Sequence, residues 1–284
     1  MKNTLKCFGS MAHSTWMLAA GVLLASSAHA DISYTQETRM NEEQSSKAPT
    51  TVTVRSVSPE GERTEMRSQY GKMQVNQTTL LLCKKNQEIQ LDTGLKIYWV
   101  KPLNETATTK EKSGKKTEEK TGKIISTYSV KDLGEERILD LKTRHYLATT
   151  SLDFSGCVGD KDMETKVEVW VSDIKDATPC AQTFDHAVAY SAFAEGDCKI
   201  TFEQKGDVEA YGKIYSGIIL RQKTYMGDKL LMTQEVTNLS QAKLNAELFA
   251  IPADYKKVTP EDFQTQQSAA MMRAMMAADM PIGE

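Results

Sequence analysis

Histidine, catalytic signatures and long apolar runs are what this sequence lacks. Four histidines occur in 284 residues, and only His145 and His186 lie beyond residue 30. Two isolated imidazoles cannot fill a catalytic zinc site unless acids complete it, and no H-E-x-x-H pattern is present. No G-x-S-x-G elbow or glycine-rich phosphate loop occurs. Paired carboxylates such as Glu118-Glu119 and Glu135-Glu136 sit in polar segments, where no burial would tune them. These absences argue against an enzyme and leave no catalytic residue, cofactor or metal site to nominate. No C-x-x-C pair is present, which removes the usual redox and zinc-ribbon readings. The formal net charge of −3, with no concentrated basic face, argues against nucleic acid. Beyond residue 30 no apolar run approaches the roughly 20 residues of a spanning helix.

What is present begins with residues 1–30. Lys2 and Lys6 open the chain, Trp16 through Ala25 form a short apolar run, and Ala28-His29-Ala30 is a small-x-small cleavage site. That is the pattern of a secretory signal peptide. Cys7 precedes the apolar run and Asp31 follows the cut, so no lipid-anchor cysteine stands where one is needed. The expectation is a periplasmic or secreted protein, soluble after cleavage, with a net charge that moves from −3 to about −5 as Lys2 and Lys6 are lost.

Cys83, Cys157, Cys180 and Cys198 remain, an even number that in an oxidising compartment favours two bridges with three possible connectivities. Thr178-Pro179 reads as a helix start, with Phe184, Ala187 and Val188 at helical spacing after it. A helix over 181–194 would hold Cys180 and Cys198 about 20 Å apart, too far for the four extended residues after it to close. A helix running back along the sheet would bring Cys198 to Cys157, so the expected pairs are Cys157–Cys198 and Cys83–Cys180.

Most of the remaining chain alternates as strands do. Val52-Thr53-Val54, residues 61–67, residues 73–83 and Leu95–Val100 lie at about ten-residue spacing, the pattern of antiparallel hairpins. Strands are expected again at Ile124–Tyr128, 137–151 and 164–173, and then at Lys199–Glu203, Ile214–Tyr225, Lys229–Val236 and Leu248–Ile251. Residues 103–122, rich in Lys, Glu and Thr, are expected to form a flexible solvated loop. Thr259-Pro260, followed by acids, starts a C-terminal helix reaching about Ala278. Met271, Met272, Met275, Met276 and Met280 crowd its end. Such a stripe suits docking on the sheet or a partner, and its thioethers would also suit Cu(I).

Several motifs fall in a telling order. Gly61-Glu62-Arg63-Thr64-Glu65-Met66 precedes an apolar strand, followed by Leu95–Val100, Thr143-Arg144-His145-Tyr146, the Trp170 strand and Leu248-Phe249-Ala250-Ile251-Pro252-Ala253-Asp254-Tyr255-Lys256-Lys257-Val258. This order resembles exported bacterial proteins of unknown function with a LolA/LolB-like lipoprotein-carrier fold. The resemblance spans residues 31–258 and leaves out the 103–122 loop and the tail at 259–284. It implies an α+β, mostly antiparallel protein: a curved sheet forming an incomplete barrel, with helices on its concave side and an apolar cavity between them. The candidate cavity residues are Val54, Met66, Leu81, Ile97, Trp99, Val169, Phe184 and Val188. The implied function is carriage of a lipid, a lipoprotein acyl chain or another apolar ligand. The alternative is an envelope assembly factor that meets an envelope protein through the Met-rich helix.

Overall fold

The computed structural model describes residues 31–41, 50–70, 73–103, 120–175 and 198–277. The leader, most of the 103–122 loop, His186, Phe184, Val188 and the expected 181–194 helix lie outside these residues. The strands are β1 (Ile32–Met40), β2 (Thr50–Ser58), β3 (Gly61–Tyr70), β4 (Met73–Leu82), β5 (Gln87–Asp92) and β6 (Ile97–Pro102). They continue as β7 (Thr121–Ile138), β8 (Leu141–Gly156), β9 (Asp162–Lys175), β10 (Lys199–Gly206), β11 (Gly217–Met226), β12 (Lys229–Ser240) and β13 (Lys256–Lys257). Two helices, α1 (Val208–Lys213) and α2 (Pro260–Ala277), pack on β7 and on β4 and β6, respectively.

All thirteen strands join one open, mostly antiparallel sheet in the order β10-β7-β8-β9-β11-β12-β1-β2-β3-β4-β5-β6-β13. Among the described strands only the outermost pairs, β10–β7 and β13–β6, are parallel. The sheet curves, and register shifts interrupt β1–β12, β7–β8, β9–β11 and β11–β12. Bulges of this kind bend strands and increase twist. At the β7 shift, Gly134 adopts φ 108°, a backbone angle few other residues tolerate.

The ladder assigns faces without ambiguity across β3–β6. Arg63, Leu80, Ile89 and Val100 stand side by side on one face, as do Glu65, Thr78, Leu91 and Tyr98. Segment 244–255 covers that face, packing Phe249, Leu248 and Ile251 on Leu80, Leu82, Ile89 and Leu91. The opposite face carries Leu81, Thr79 and Trp99 and receives α2. On the other half of the sheet, Ile214 and Tyr211 pack with Val167, Val169 and Ala148. Beside them Ile124, Leu152 and Phe154 form a further apolar cluster.

The structure corrects three sequence expectations. Leu248–Ile251 is not a strand. Asn245 Oδ1 accepts the Glu247 N–H at 3.0 Å and nucleates a 3₁₀ turn over Ala246–Phe249, which turns Phe249 into the core. Ile214 does not open β11; it closes α1, and the strand starts at Gly217. The pieces at 124–128 and 137–151 belong to one long hairpin, β7–β8, whose tight turn places Leu139 and Asp140 at φ 50° and 60°. Neither residue is the Gly or Asn that normally marks such a turn.

Cys157 and Cys198 are bridged, with Cα atoms 5.9 Å apart. The bridge ties the β8–β9 turn to the start of β10 and rests on Gly122, where an added Cβ would sit 3.1 Å from Cys198 Sγ and 3.2 Å from Cys157 Sγ. Cys83 is also disulfide-bonded, and Cys180 lies outside the described residues. Inside the sheet, Arg55 holds Glu62 with two bonds, Nε to Oε1 at 2.7 Å and Nη2 to Oε2 at 2.9 Å. Arg55 also donates to the Tyr34 hydroxyl, and Thr64 donates to Glu62. This pair is largely buried, with side-chain exposures of 15% and 10%.

Candidate ligand cleft beneath the C-terminal helix

Helix α2 begins where its sequence says it should. Thr259 Oγ1 accepts the Asp262 N–H at 3.1 Å, and Glu261 and Asp262 lie in the first turn, where the helix dipole favours acids. Two contacts then fix the helix to the sheet. Phe263, 3% exposed, meets Trp99 edge-on with ring centroids 6.4 Å apart. One turn on, Gln267 Nε2 donates to Asp92 Oδ2 at 3.0 Å. The other oxygen of Asp92 accepts the N–H groups of Gly94 and Leu95 at 3.0 and 2.9 Å, so one carboxylate shapes the β5–β6 turn and anchors the helix.

The helix does not fill all the space over the strands. A cleft of about 560 Å³ separates it from β4 and the β5–β6 turn, within the roughly 300–1,000 Å³ of small-molecule sites. Val75, Leu95, Ala270 and Met271 supply its apolar wall, and Gln77 and Gln264 stand among its polar groups. Met271, Met272 and Met276 remain 42%, 63% and 62% exposed. Along the edge of the β5–β6 turn, the Asp254 carboxylate raises Lys96 at 2.7 Å and is itself held below the usual carboxylate range by that ammonium. A second cavity of about 740 Å³ lies beside the disulfide, with Phe154, Val158 and Met163 in its wall and Lys120 and Lys161 among its lining residues.

The residues nominated from sequence are dispersed. Met66, Leu81, Ile97 and Trp99 share the β3–β6 face on which α2 lies, whereas Val54, opposite Glu65, occupies the other face. Leu81 and Ile97 are buried, Trp99 and Val54 are half-buried, and Met66 is exposed. Val169 belongs to the cluster beneath α1. None of these six lines the cleft under α2. Its walls mix amide and small side chains with Val75, Leu95 and Met271, and of these Met271 alone belongs to a group that the sequence marked out, the methionine stripe.

His145 is enclosed rather than available. Its ring stacks on Trp170 at 4.0 Å, Nδ1 lies 3.2 Å from Glu136, and Nε2 lies 3.7 Å from Glu168. Arg221 and Lys223 close over Trp170, each at 5.5 Å from the ring centroid. Among the described residues no group of three His, Cys, Asp or Glu could hold a metal ion, and no helix is long and apolar enough to cross a membrane.

The family model of a domain of unknown function, DUF4412, matches residues 37–255. The chain belongs to the DUF4412 family. The matched range runs from within β1 to the turn before β13, so the family region contains β2 to β12 whole, and β13 and α2 follow it. No protein of curated function matches the sequence. Solved structures that align with this DUF4412 chain include two of low identity. LprF from Mycobacterium bovis is 11% identical over 78% of this chain and 89% of its own, with a TM-score of 0.32. A putative outer membrane lipoprotein-sorting protein domain from Vibrio parahaemolyticus is 10% identical over 78% and 90%, with a TM-score of 0.30.

Proposed function

We propose that this protein is a non-enzymatic binding or carrier protein for a lipid, an acyl chain or another apolar ligand, acting in the periplasm after removal of residues 1–30. The observation that carries the reading is the cleft between α2 and β4, which has a partly apolar wall that includes the exposed Met271. A helix anchored through Phe263 and Gln267 leaves room beside it for a chain-like ligand against the sheet. Met side chains adapt to ligands of varied shape. The motif order that resembles the lipoprotein carriers supports the same reading. Trp99, beside the pinned end, is the sequence-nominated residue best placed to report occupancy. Native mass spectrometry of protein purified from periplasm tests the proposal. A bound or added lipid should appear as a discrete mass increment, and its absence across a panel of lipids would refute the reading.

A second reading, an envelope interaction factor, draws on the exposure of Met271, Met272 and Met276. Crosslinking in cells separates the two readings. Loss of crosslinks on deleting residues 261–284 favours the interaction role, and an unchanged pattern removes the helix from it.

A further inference from the structure

We propose that the cleft beneath α2 selects apolar ligands whose polar end is uncharged and rich in hydroxyl or amide groups, and rejects the same chains bearing a phosphate or carboxylate; this rests on the binding reading above. Among the described residues lining the cleft, the single formal charge is negative, that of Asp92. That carboxylate is already committed to Gly94, Leu95 and Gln267. The cations on the same elements are directed elsewhere. Lys96 reaches Asp254 at 2.7 Å, and Arg273 Nε folds back onto the Ala269 carbonyl at 3.2 Å. An anionic headgroup entering here would lose water, gain no countercharge and face Asp92, a combination that is costly in a partly desolvated site. Neutral hydrogen-bonding capacity, by contrast, is plentiful. Gln77, Gln264 and Ser268 line the space and have no side-chain partner among the described residues. Each amide offers two donors and an acceptor, and the hydroxyl offers one donor and two lone pairs, a set that matches hydroxyl, ester and amide groups. The overall negative charge of the chain acts in the same direction at longer range.

The test uses two probes with identical tails, 1,2-dioctanoylglycerol and 1,2-dioctanoyl phosphatidic acid, titrated into the full-length mature protein while calorimetric heats and the combined emission of Trp99 and Trp170 are followed. The neutral lipid should bind at least tenfold more tightly than the phosphate-bearing one. Gln264→Lys, on the exposed side of the cleft, should narrow that ratio to about threefold or less. Ala270→Trp should fill the cleft and abolish binding of both, with circular dichroism confirming the fold. Equal affinities for the two probes would overturn the selectivity. Binding that survives Ala270→Trp would place the lipid elsewhere, overturning this proposal while leaving the carrier reading intact. Binding of neither probe would overturn it as well, and an empty protein in native mass spectrometry would then take the carrier reading with it.

Discussion

Phe263→Ala should detach α2 while leaving the sheet folded. Phe263 is the one buried apolar side chain that the described part of α2 places against the sheet; Gln267 and Ala270 are half-buried and the rest of its surface is exposed. Burying a phenylalanine contributes about 2–3 kcal/mol. The edge-on contact with Trp99 adds about 1 kcal/mol. The bond from Gln267 to the Asp92 carboxylate contributes about 1.5–2 kcal/mol. Removing the ring therefore takes away roughly 3–4 kcal/mol of a docking energy near 5 kcal/mol. One hydrogen bond is then left to hold an 18-residue helix that is marginal alone in water. Hydrogen exchange read by mass spectrometry should show residues 260–277 losing protection and β4–β6 keeping theirs. Trp99 emission should shift to the red, and any ligand held in the cleft should be lost. The main unfolding midpoint in urea should barely move, because segment 244–255 remains packed on the opposite face. Unchanged protection of α2, or cooperative loss of the whole sheet, would refute this account of how the helix is held.

Replacing Cys157 and Cys198 by Ser opens a loop with a sequence separation of 41 and should lower stability by about 4 kcal/mol in urea unfolding. Non-reducing peptide mapping should recover Cys157–Cys198 and, in mature protein, Cys83–Cys180; a Cys180–Cys198 peptide would contradict the latter. Glu62→Gln should cost about 3 kcal/mol because Arg55 loses its charged partner in a buried setting. On the same strand, Glu65→Gln should cost no more than about 1 kcal/mol. Stability should fall as pH drops below about 4, the unfolded carboxylate range. Burial pushes Glu65 up, but Arg63 and Arg67 outweigh it and leave it lowered, and Arg144 and the Gly134 N–H lower Asp132. Lys142 lowers Glu135, and Lys123 and Lys205 lower Glu203. Carboxyls with depressed folded pKa values stabilise above their unfolded values and lose that contribution as pH falls through the folded ones. A melting temperature flat from pH 6 to pH 2 would contradict this.

How much of this was legible depends on how local the signal is. Leu95–Val100 reads as a strand because aromatic and β-branched residues are concentrated there, and β6 occupies most of it. Thr259-Pro260 reads as a helix start because the cap, the proline and the acids lie within four residues. Leu248–Ile251 misleads because its apolar side chains suit either a strand or a tight turn, and Asn245, outside that window, decides between them. Helix α1 is six residues long and includes Gly212, so its periodicity is too short to register. The cleft was illegible for a different reason. Hydrophobicity alone marks residues such as Leu81 and Ile97 that the sheet and helix bury, whereas the cleft mixes Val75, Leu95 and Met271 with amide and small side chains brought together from β4, the β5–β6 turn and α2.

The position of β1 has a consequence for how the protein reaches its native state. The first strand of the described chain lies between β12 and β2, so the sheet is joined through its middle by the segment made earliest. Tyr34 faces Leu239, and closing a loop of roughly 200 residues costs about 5 kcal/mol in chain entropy before any bond rewards it. The β1–β6 hairpins can zip locally, β1 pairing with β2 from Ile32–Val57 to Arg39–Thr50, but the other edge of β1 waits for β12 and so for almost the entire polypeptide. A chain folding as it is made from its amino end would thus stay open until β12 was complete. During that interval the edge of β1 that will meet β12 has no neighbour, which makes it the edge most open to mispairing.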